Sequence, residues 1–173
     1  KLGINVDITN VLEQWANASK TIIQCETKLR SGIIHADIWP PNLICDKDEV
    51  VGLTDFDDCC FGATIIDLSL ALMECSMFGD TRMDHQQAYE LIFGYLTNGG
   101  EITNLERAVI VDAMEMACAM WYAYNIIEAP SYQEAEIYLS RLDMFNYPIY
   151  KANFSSKLLS IISDAESAVS KTR

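Results

Sequence analysis

The sequence has 173 residues, 50% of them apolar and 21% charged, with a net charge of −13 and a pI near 4.4. That size bounds one domain or one large lobe with a proper core, and the acidic balance excludes a phosphate-tracking nucleic-acid protein, which needs a basic face. No run approaches the ~20 apolar residues of a membrane span, and six cysteines without a Cys-x-x-Cys pair, beside two histidines, give zinc little to bind.

The start, Lys1-Leu2-Gly3-Ile4-Asn5, has neither an initiator Met nor a basic-then-apolar leader, so the chain is expected to begin inside a longer protein. A cytoplasmic location follows by default. Reduced, mostly buried thiols are expected in that compartment.

From Asp7 to Leu29 the apolar residues Ile8, Val11, Leu12, Trp15, Ile22, Ile23 and Leu29 fall on one helical side, with Asp7 or Thr9 as cap and Ser31-Gly32 as stop. Ile33-Ile34 leads into a polar segment, His35 to Asn42, in which Pro40-Pro41 excludes a helix and stiffens a loop. Leu43–Cys45 and Val50–Thr54, split by the charged turn Asp46-Lys47-Asp48-Glu49, read as a β-hairpin. Everything after it is helical. The expected helices are about 65–78, 84–97, 103–127, 132–146 and 154–170, separated by Gly79-Asp80, Asn98-Gly99-Gly100, Pro130 and Pro148. A sheet this small cannot be the core; it presents the loops at its ends.

Chemistry concentrates in three segments: His35-Ala36-Asp37-Ile38-Trp39-Pro40-Pro41-Asn42, then Thr54-Asp55-Phe56-Asp57-Asp58, then Asp67-Leu68. A carboxylate and a carboxamide share one rigid loop, and a second carboxylate follows the hairpin. Phosphoryl transfer needs such a set. A carboxylate must align the acceptor hydroxyl, and hard Asp and Asn oxygens must hold the Mg²⁺ that bridges the phosphates.

These residues closely resemble the kinase catalytic signature, His-x-Asp-x-x-x-x-Asn followed by a hairpin and Asp-Phe. Ala36 in place of Arg, Asp57 in place of Gly and the pattern His35-x-Asp37-x-x-Pro40-x-Asn42…Asp55-Phe56-Asp57-Asp58…Asp67-Leu68 resemble the aminoglycoside phosphotransferase and choline kinase family instead. Within it, Gly32–Leu43, Ala88-Tyr89 with Gly94-Tyr95, and the Tyr138–Leu142 region are similar to type II homoserine kinases. The resemblance implies an α+β, mainly helical fold, the C-terminal lobe of a protein-kinase-like protein with a small antiparallel hairpin beside the catalytic loop. It implies Asp37 as the catalytic base and Asn42 and Asp55 as ligands of Mg²⁺ and the ATP phosphates. Asp57 would be a second metal or substrate contact. His35 would hold the loop, and Asp67 would brace it from behind. ATP is the implied donor. The implied acceptor is a hydroxyl of a small metabolite, homoserine or another amino alcohol first, choline or an aminoglycoside next. Negative charge around Asp57-Asp58 suits an ammonium group, although solvated surface acids explain such charge equally well.

Single loop Asp or Asn residues are usually turn or cap residues; it is the joint spacing of Asp37, Asn42 and Asp55 that points to chemistry. Met114, Met116, Met120, Trp121 and Tyr122 read mainly as core, His85 as surface, and Trp39 as either packing or substrate contact. The Gly-rich lid and strand lysine of a kinase are not found, so the expected N-terminal nucleotide lobe lies outside residues 1–173. A lobe so uncovered would be inactive alone and would self-associate through its apolar patch. The competing class is a non-catalytic helical interaction module. A protein kinase ranks below both, because no Ala-Pro-Glu element follows Asp55.

Overall fold

The computed structural model describes residues 9–47, 49–77, 81–127 and 131–172. Its element order is α1 (Thr9–Cys25), a 3₁₀ turn (Glu26–Lys28), β1 (Ser31–Ile34), a second 3₁₀ turn (Pro40–Asn42), β2 (Leu43–Asp46), β3 (Glu49–Leu53), β4 (Cys60–Ala63), α2 (Thr64–Ser76), α3 (His85–Thr97), α4 (Asn104–Ile127), α5 (Tyr132–Asn146) and α6 (Pro148–Thr172). The fold is the expected one, mainly helical with a minor antiparallel component.

Helix α4 is the hub: α1, α2 and α5 pack against it, and α6 lies along α3. The apolar rows dictate this. In α2, Leu70, Leu72 and Met73 are buried on different sides, as expected of a helix apolar nearly all round. Ile110 and Met114 of α4 and Leu158, Ile161 and Ile162 of α6 complete the core, each worth about 2 kcal/mol of burial.

Helix ends follow local chemistry. The Asp84 side chain accepts from the Gln87 N–H at 2.9 Å to start α3. Thr103 and Glu106 start α4 reciprocally: Glu106 N–H donates to Thr103 Oγ1 at 3.2 Å, and Thr103 N–H to Glu106 Oε2 at 2.7 Å. Helix α3 ends when Gly100 N–H bonds to Tyr95 O at 2.9 Å and Gly99 N–H to Leu96 O at 3.3 Å. Gly99 sits at φ 90°, which an L side chain resists.

Several expectations need correction. Helix α1 runs 9–25 and tightens into 3₁₀ before Leu29, and its buried side is Val11, Gln14, Ala18, Ser19 and Ile22. Leu12, Trp15 and Ile23 are exposed, one step round the 3.6-residue helix from that row. Asp7 as a cap, and the breaks at Gly79-Asp80 and Pro130, lie outside the described residues. Pro148 does not separate α6 from the chain; it opens α6, in the first turn where the missing N–H costs nothing. Pro40-Pro41 likewise begin a single 3₁₀ turn. The second strand pair, β1 with β4, was not expected. Ser31 pairs with Ala63 and Ile34 with Cys60, while β2 pairs with β3 from Leu43↔Leu53 to Asp46↔Glu49. All six cysteines are free, but only Cys118 is buried; Cys45 and Cys60 are exposed, because two-stranded sheets leave one face uncovered.

The sheets position the site. Strand β1 feeds the loop 35–42, the β2–β3 hairpin returns the chain to Thr54-Asp55, and β4 leads into α2, which sets Asp67 behind the loop. No helix among the described residues is long and apolar enough to cross a membrane.

Candidate active site

The loop is fixed before the Asp37 carboxylate is reached. His35 N–H donates to Asp67 Oδ2 at 2.7 Å and Ala36 N–H to Asp67 Oδ1 at 2.8 Å. Between them they hold Ala36 at φ 65°, a left-handed conformation that costs a non-glycine residue roughly 1–2 kcal/mol. The His35 ring is buried and bonded on both nitrogens. Nδ1 accepts from Asp37 N–H at 3.3 Å, so Nε2 carries the proton and donates to Thr54 O at 2.9 Å. Phe56 closes over it edge-on, 4.7 Å between centroids. One imidazole thus ties the loop to the end of the hairpin, next to Asp55, which is itself left-handed at φ 63°.

Asp37 and Asn42 meet directly. Asn42 Nδ2 donates to Asp37 Oδ2 at 2.8 Å and to Asp37 O at 3.0 Å. Asn42 is anchored by its own backbone, since Thr54 N–H donates to Asn42 O at 2.9 Å. Both side-chain bonds of Asn42 use Nδ2, which leaves its carboxamide oxygen for coordination. The other oxygen of Asp37, Oδ1, is buried without a partner, a situation that costs about 1–3 kcal/mol unless a ligand relieves it. Burial pushes the Asp37 carboxyl above its ordinary value; the Asn42 hydrogen bond opposes this, and the charges of Asp58 and Asp55 add to it.

In front of Asp37 lies a cavity of about 520 Å³. Asp37, Trp39, Pro40, Pro41 and Asp55 form one wall; Glu74 and Met77 from the end of α2, Trp121 and Asn125 of α4, and Tyr138 and Arg141 of α5 form the other. Arg141 is 3% exposed, pairs with Glu74 Oε1 at 3.1 Å, donates to Met77 O, and lies 5.4 Å above the Tyr138 ring. Burial raises the Glu74 carboxyl, with Arg141 and Tyr138 opposing it; burial and then Glu74 raise the Tyr138 phenol.

Of the predicted site residues, Asp37 and Asn42 are joined and Asp55 shares the cavity wall with Asp37. Asp57 is exposed and does not line the cavity; its neighbour Asp58 is the one that acts on Asp37. Trp39 and Trp121 line the cavity, whereas Met114 is buried away from it and Met120 is exposed. Glu74 and Arg141 had no assigned role in the sequence. The local signals were the likeness of the Tyr138–Leu142 region, which contains Arg141, to type II homoserine kinases, and a glutamate near the end of the apolar run of α2. Among the described residues no three His, Cys, Asp or Glu side chains converge as a closed metal cage. Asn42 lies against Asp37, and Asp55 lines the same cavity and acts on Asp37 through its charge; their hard oxygens are of the kind that could hold Mg²⁺.

A loop carboxylate clamped by a carboxamide five positions on, a hairpin, and a second Asp lining the same cavity, on a mainly helical kinase-like fold, fit the phosphotransferase class. A sequence profile of the phosphotransferase enzyme family (APH) matches residues 7–101, and the chain belongs to that family. It is similar to homoserine kinase of Neisseria meningitidis serogroup B, 28% identical over 100 residues, covering 58% of this chain and 32% of that protein. Against homoserine kinase of Pseudomonas aeruginosa (strain UCBPP-PA14) it is 26% identical over 104 residues, 60% of this chain and 33% of the other. The homoserine kinase of Methylobacillus flagellatus is 33% identical over 57 residues, 33% of this chain and 18% of the other. The chain spans about a third of the length of the first two relatives.

Proposed function

We propose that residues 1–173 form the catalytic, metal-holding C-terminal lobe of a kinase that moves the γ-phosphoryl group of ATP to a hydroxyl of a small amino alcohol, homoserine first. The observation that carries this reading is Asp37, with Oδ2 fixed by Asn42 and Oδ1 buried and unpartnered at the cavity. The hydroxyl proton would pass to Asp37, the freed oxygen would bond to the γ-phosphorus, and the bond to the ADP oxygen would break. Asp55 and the Asn42 carboxamide oxygen would hold Mg²⁺, which supplies charge neutralisation at the phosphates when bound. Burial raises the Asp37 pKa toward the working pH, which favours a proton acceptor.

The rest of the nucleotide site would come from an upstream lobe. In support, Ile33 (80% exposed) and Phe61 (77% exposed) face solvent across β1 and β4, an apolar patch that such a lobe would cover. The homoserine preference draws support from the names of the relatives and from the acids Asp37, Asp55, Glu74 and Glu134 around the cavity, which suit an ammonium group. The test is Asp37→Asn in the full-length protein. We expect a loss of about 10²–10⁴-fold in kcat with Mg-ATP and homoserine. Unchanged turnover would remove Asp37 from the chemistry, and no transfer to any amino alcohol, sugar or aminoglycoside by the parent would leave the binding-module class standing.

A further inference from the structure

Seven buried side-chain polar atoms among the described residues have no hydrogen-bond partner, and four of them belong to residues of the one cavity: Asp37 Oδ1, Trp39 Nε1, Trp121 Nε1 and Arg141 Nε. Their chemistry is uneven. A single atom, on Asp37, accepts, and it is accounted for by an acceptor hydroxyl. The other three are N–H donors, which an ammonium cannot satisfy and which a single hydroxyl oxygen, with two acceptor lone pairs, cannot satisfy together. They call for an anionic oxygen group. Arg141 is suited to one, since Glu74 and Met77 O occupy two of its five N–H groups and leave Nε–H free for a side-on pair of bonds. Trp121 belongs to the same group through Tyr138, stacked on it at 6.4 Å while Arg141 covers the Tyr138 ring at 5.4 Å.

We propose that Arg141, with Trp121 and Trp39, receives the carboxylate of the acceptor, and that Glu74 receives its ammonium, so that the cavity selects a hydroxylated α-amino acid over an amino alcohol without a carboxylate. This rests on the phosphotransferase reading and adds a requirement to it. Glu74 suits its half of the role. Its partners, Arg141 and Tyr138, engage it from one side of the cavity, and a carboxylate can accept about four hydrogen bonds. Trp121, Tyr138 and Arg141 lie beyond residues 7–101, the part that matches the family profile, so acceptor choice would be set by α4 and α5 while the transfer chemistry stays on the loop.

The experiment is calorimetric titration of the full-length protein in Mg-ADP with L-homoserine, 3-aminopropan-1-ol and 4-hydroxybutanoate, beside a transfer assay on the same compounds. Homoserine should bind at least about 100-fold tighter than 3-aminopropan-1-ol, because a site built for a polar group rejects the analogue lacking it. Trp121→Phe, which keeps the ring and removes only the N–H, should shrink that ratio several-fold, and Arg141→Lys should bring it below about 10-fold. If Arg141→Lys fails to fold, Trp121→Phe and Trp39→Phe carry the test. A wild-type ratio near one, no binding of any of the compounds, or a ratio unmoved by the variants would overturn the carboxylate assignment. Equal phosphorylation of homoserine and 3-aminopropan-1-ol would overturn it while leaving the kinase reading intact. Selective homoserine binding with no transfer to any acceptor would do the reverse.

Discussion

Asp67 holds Ala36 in a left-handed backbone conformation by accepting its N–H at 2.8 Å, while the other carboxylate oxygen takes the N–H of His35 at 2.7 Å. A side chain on α2 thus sets the path of a loop that carries the catalytic candidate. Asp67→Ala removes both bonds and leaves two N–H groups without their partner. With roughly 1.5 kcal/mol for each hydrogen bond to a charged group, stability should fall by about 3 kcal/mol. Since Asp37 follows the strained residue directly, kcat of the full-length protein should fall about 100-fold from misplacement alone. Asp67→Asn retains one acceptor and should lose about half the stability. Chemical denaturation and single-turnover kinetics check both; an Ala variant with wild-type stability would show that the loop holds its shape without α2.

The end of α3 gives a paired test on two glycines. A Cβ on Gly100 would lie 2.5 Å from Tyr95 O, a backbone atom that cannot swing aside, whereas a Cβ on Gly94 meets nothing within 4 Å. Gly100→Ala should destabilise by about 2 kcal/mol through strain at this cap. Gly94→Ala, inside the same helix, should stabilise by about 0.5–1 kcal/mol by restricting the unfolded chain. Thermal melts of both variants decide; equal effects of either sign would contradict the cap geometry.

The helices were legible because the sequence marks their limits twice, by apolar periodicity and by caps such as Asp84 and Asn98-Gly99-Gly100. The meeting of Asp37 with Asn42, and the place of Asp55 on the same cavity, were legible because the three have a spacing that turns alone do not require. Strands β1 and β4 were not. Each has four residues and buries only one of them, so neither alternation nor an apolar run marks it, and their pairing across about 30 residues is a tertiary fact. The far wall of the cavity escaped for the same reason. Glu74 and Arg141 are 67 positions apart and become a pair only when α2 and α5 meet at one end of α4. Their partnership is electrostatic, and periodicity carries no information about it.

Asp55 and its left-handed backbone lead to a ligand prediction. In the full-length protein, saturating Mg-ADP should raise stability as any ligand of the native state does, by about 2.7 kcal/mol at a hundred times Kd. Asp55→Asn keeps the size and removes the charge, so the Mg²⁺-dependent part of that stabilisation should vanish while the part seen with ADP and EDTA remains. Differential scanning calorimetry with and without EDTA separates the two. An Asp55→Asn protein with a full Mg²⁺ increment would take Asp55 out of metal binding.

Asp37 carries opposite consequences for stability and for activity. Its carboxyl is buried, one oxygen has no partner, and its pKa is raised in the folded protein, chiefly by burial. A carboxyl whose folded pKa lies above its unfolded value binds protons more tightly when folded. Its ionised form therefore destabilises the fold above the folded pKa, and that cost fades as pH falls through the folded pKa toward the unfolded one. Asp37→Asn removes the buried charge and keeps an oxygen that can accept from Asn42. At pH 7 the variant should melt a few degrees higher than the wild type, at roughly 2–4 °C per kcal/mol in a chain of this size, while the proposed transfer activity should be lost. As the pH is lowered to about 4, wild-type Asp37 takes up its proton and the gap should close. Melting curves of both proteins across that range provide the check. A variant that is less stable at neutral pH, or a gap that widens in acid, would mean that the Asp37 carboxylate is held by favourable contacts and not exposed to a ligand at the expense of the fold.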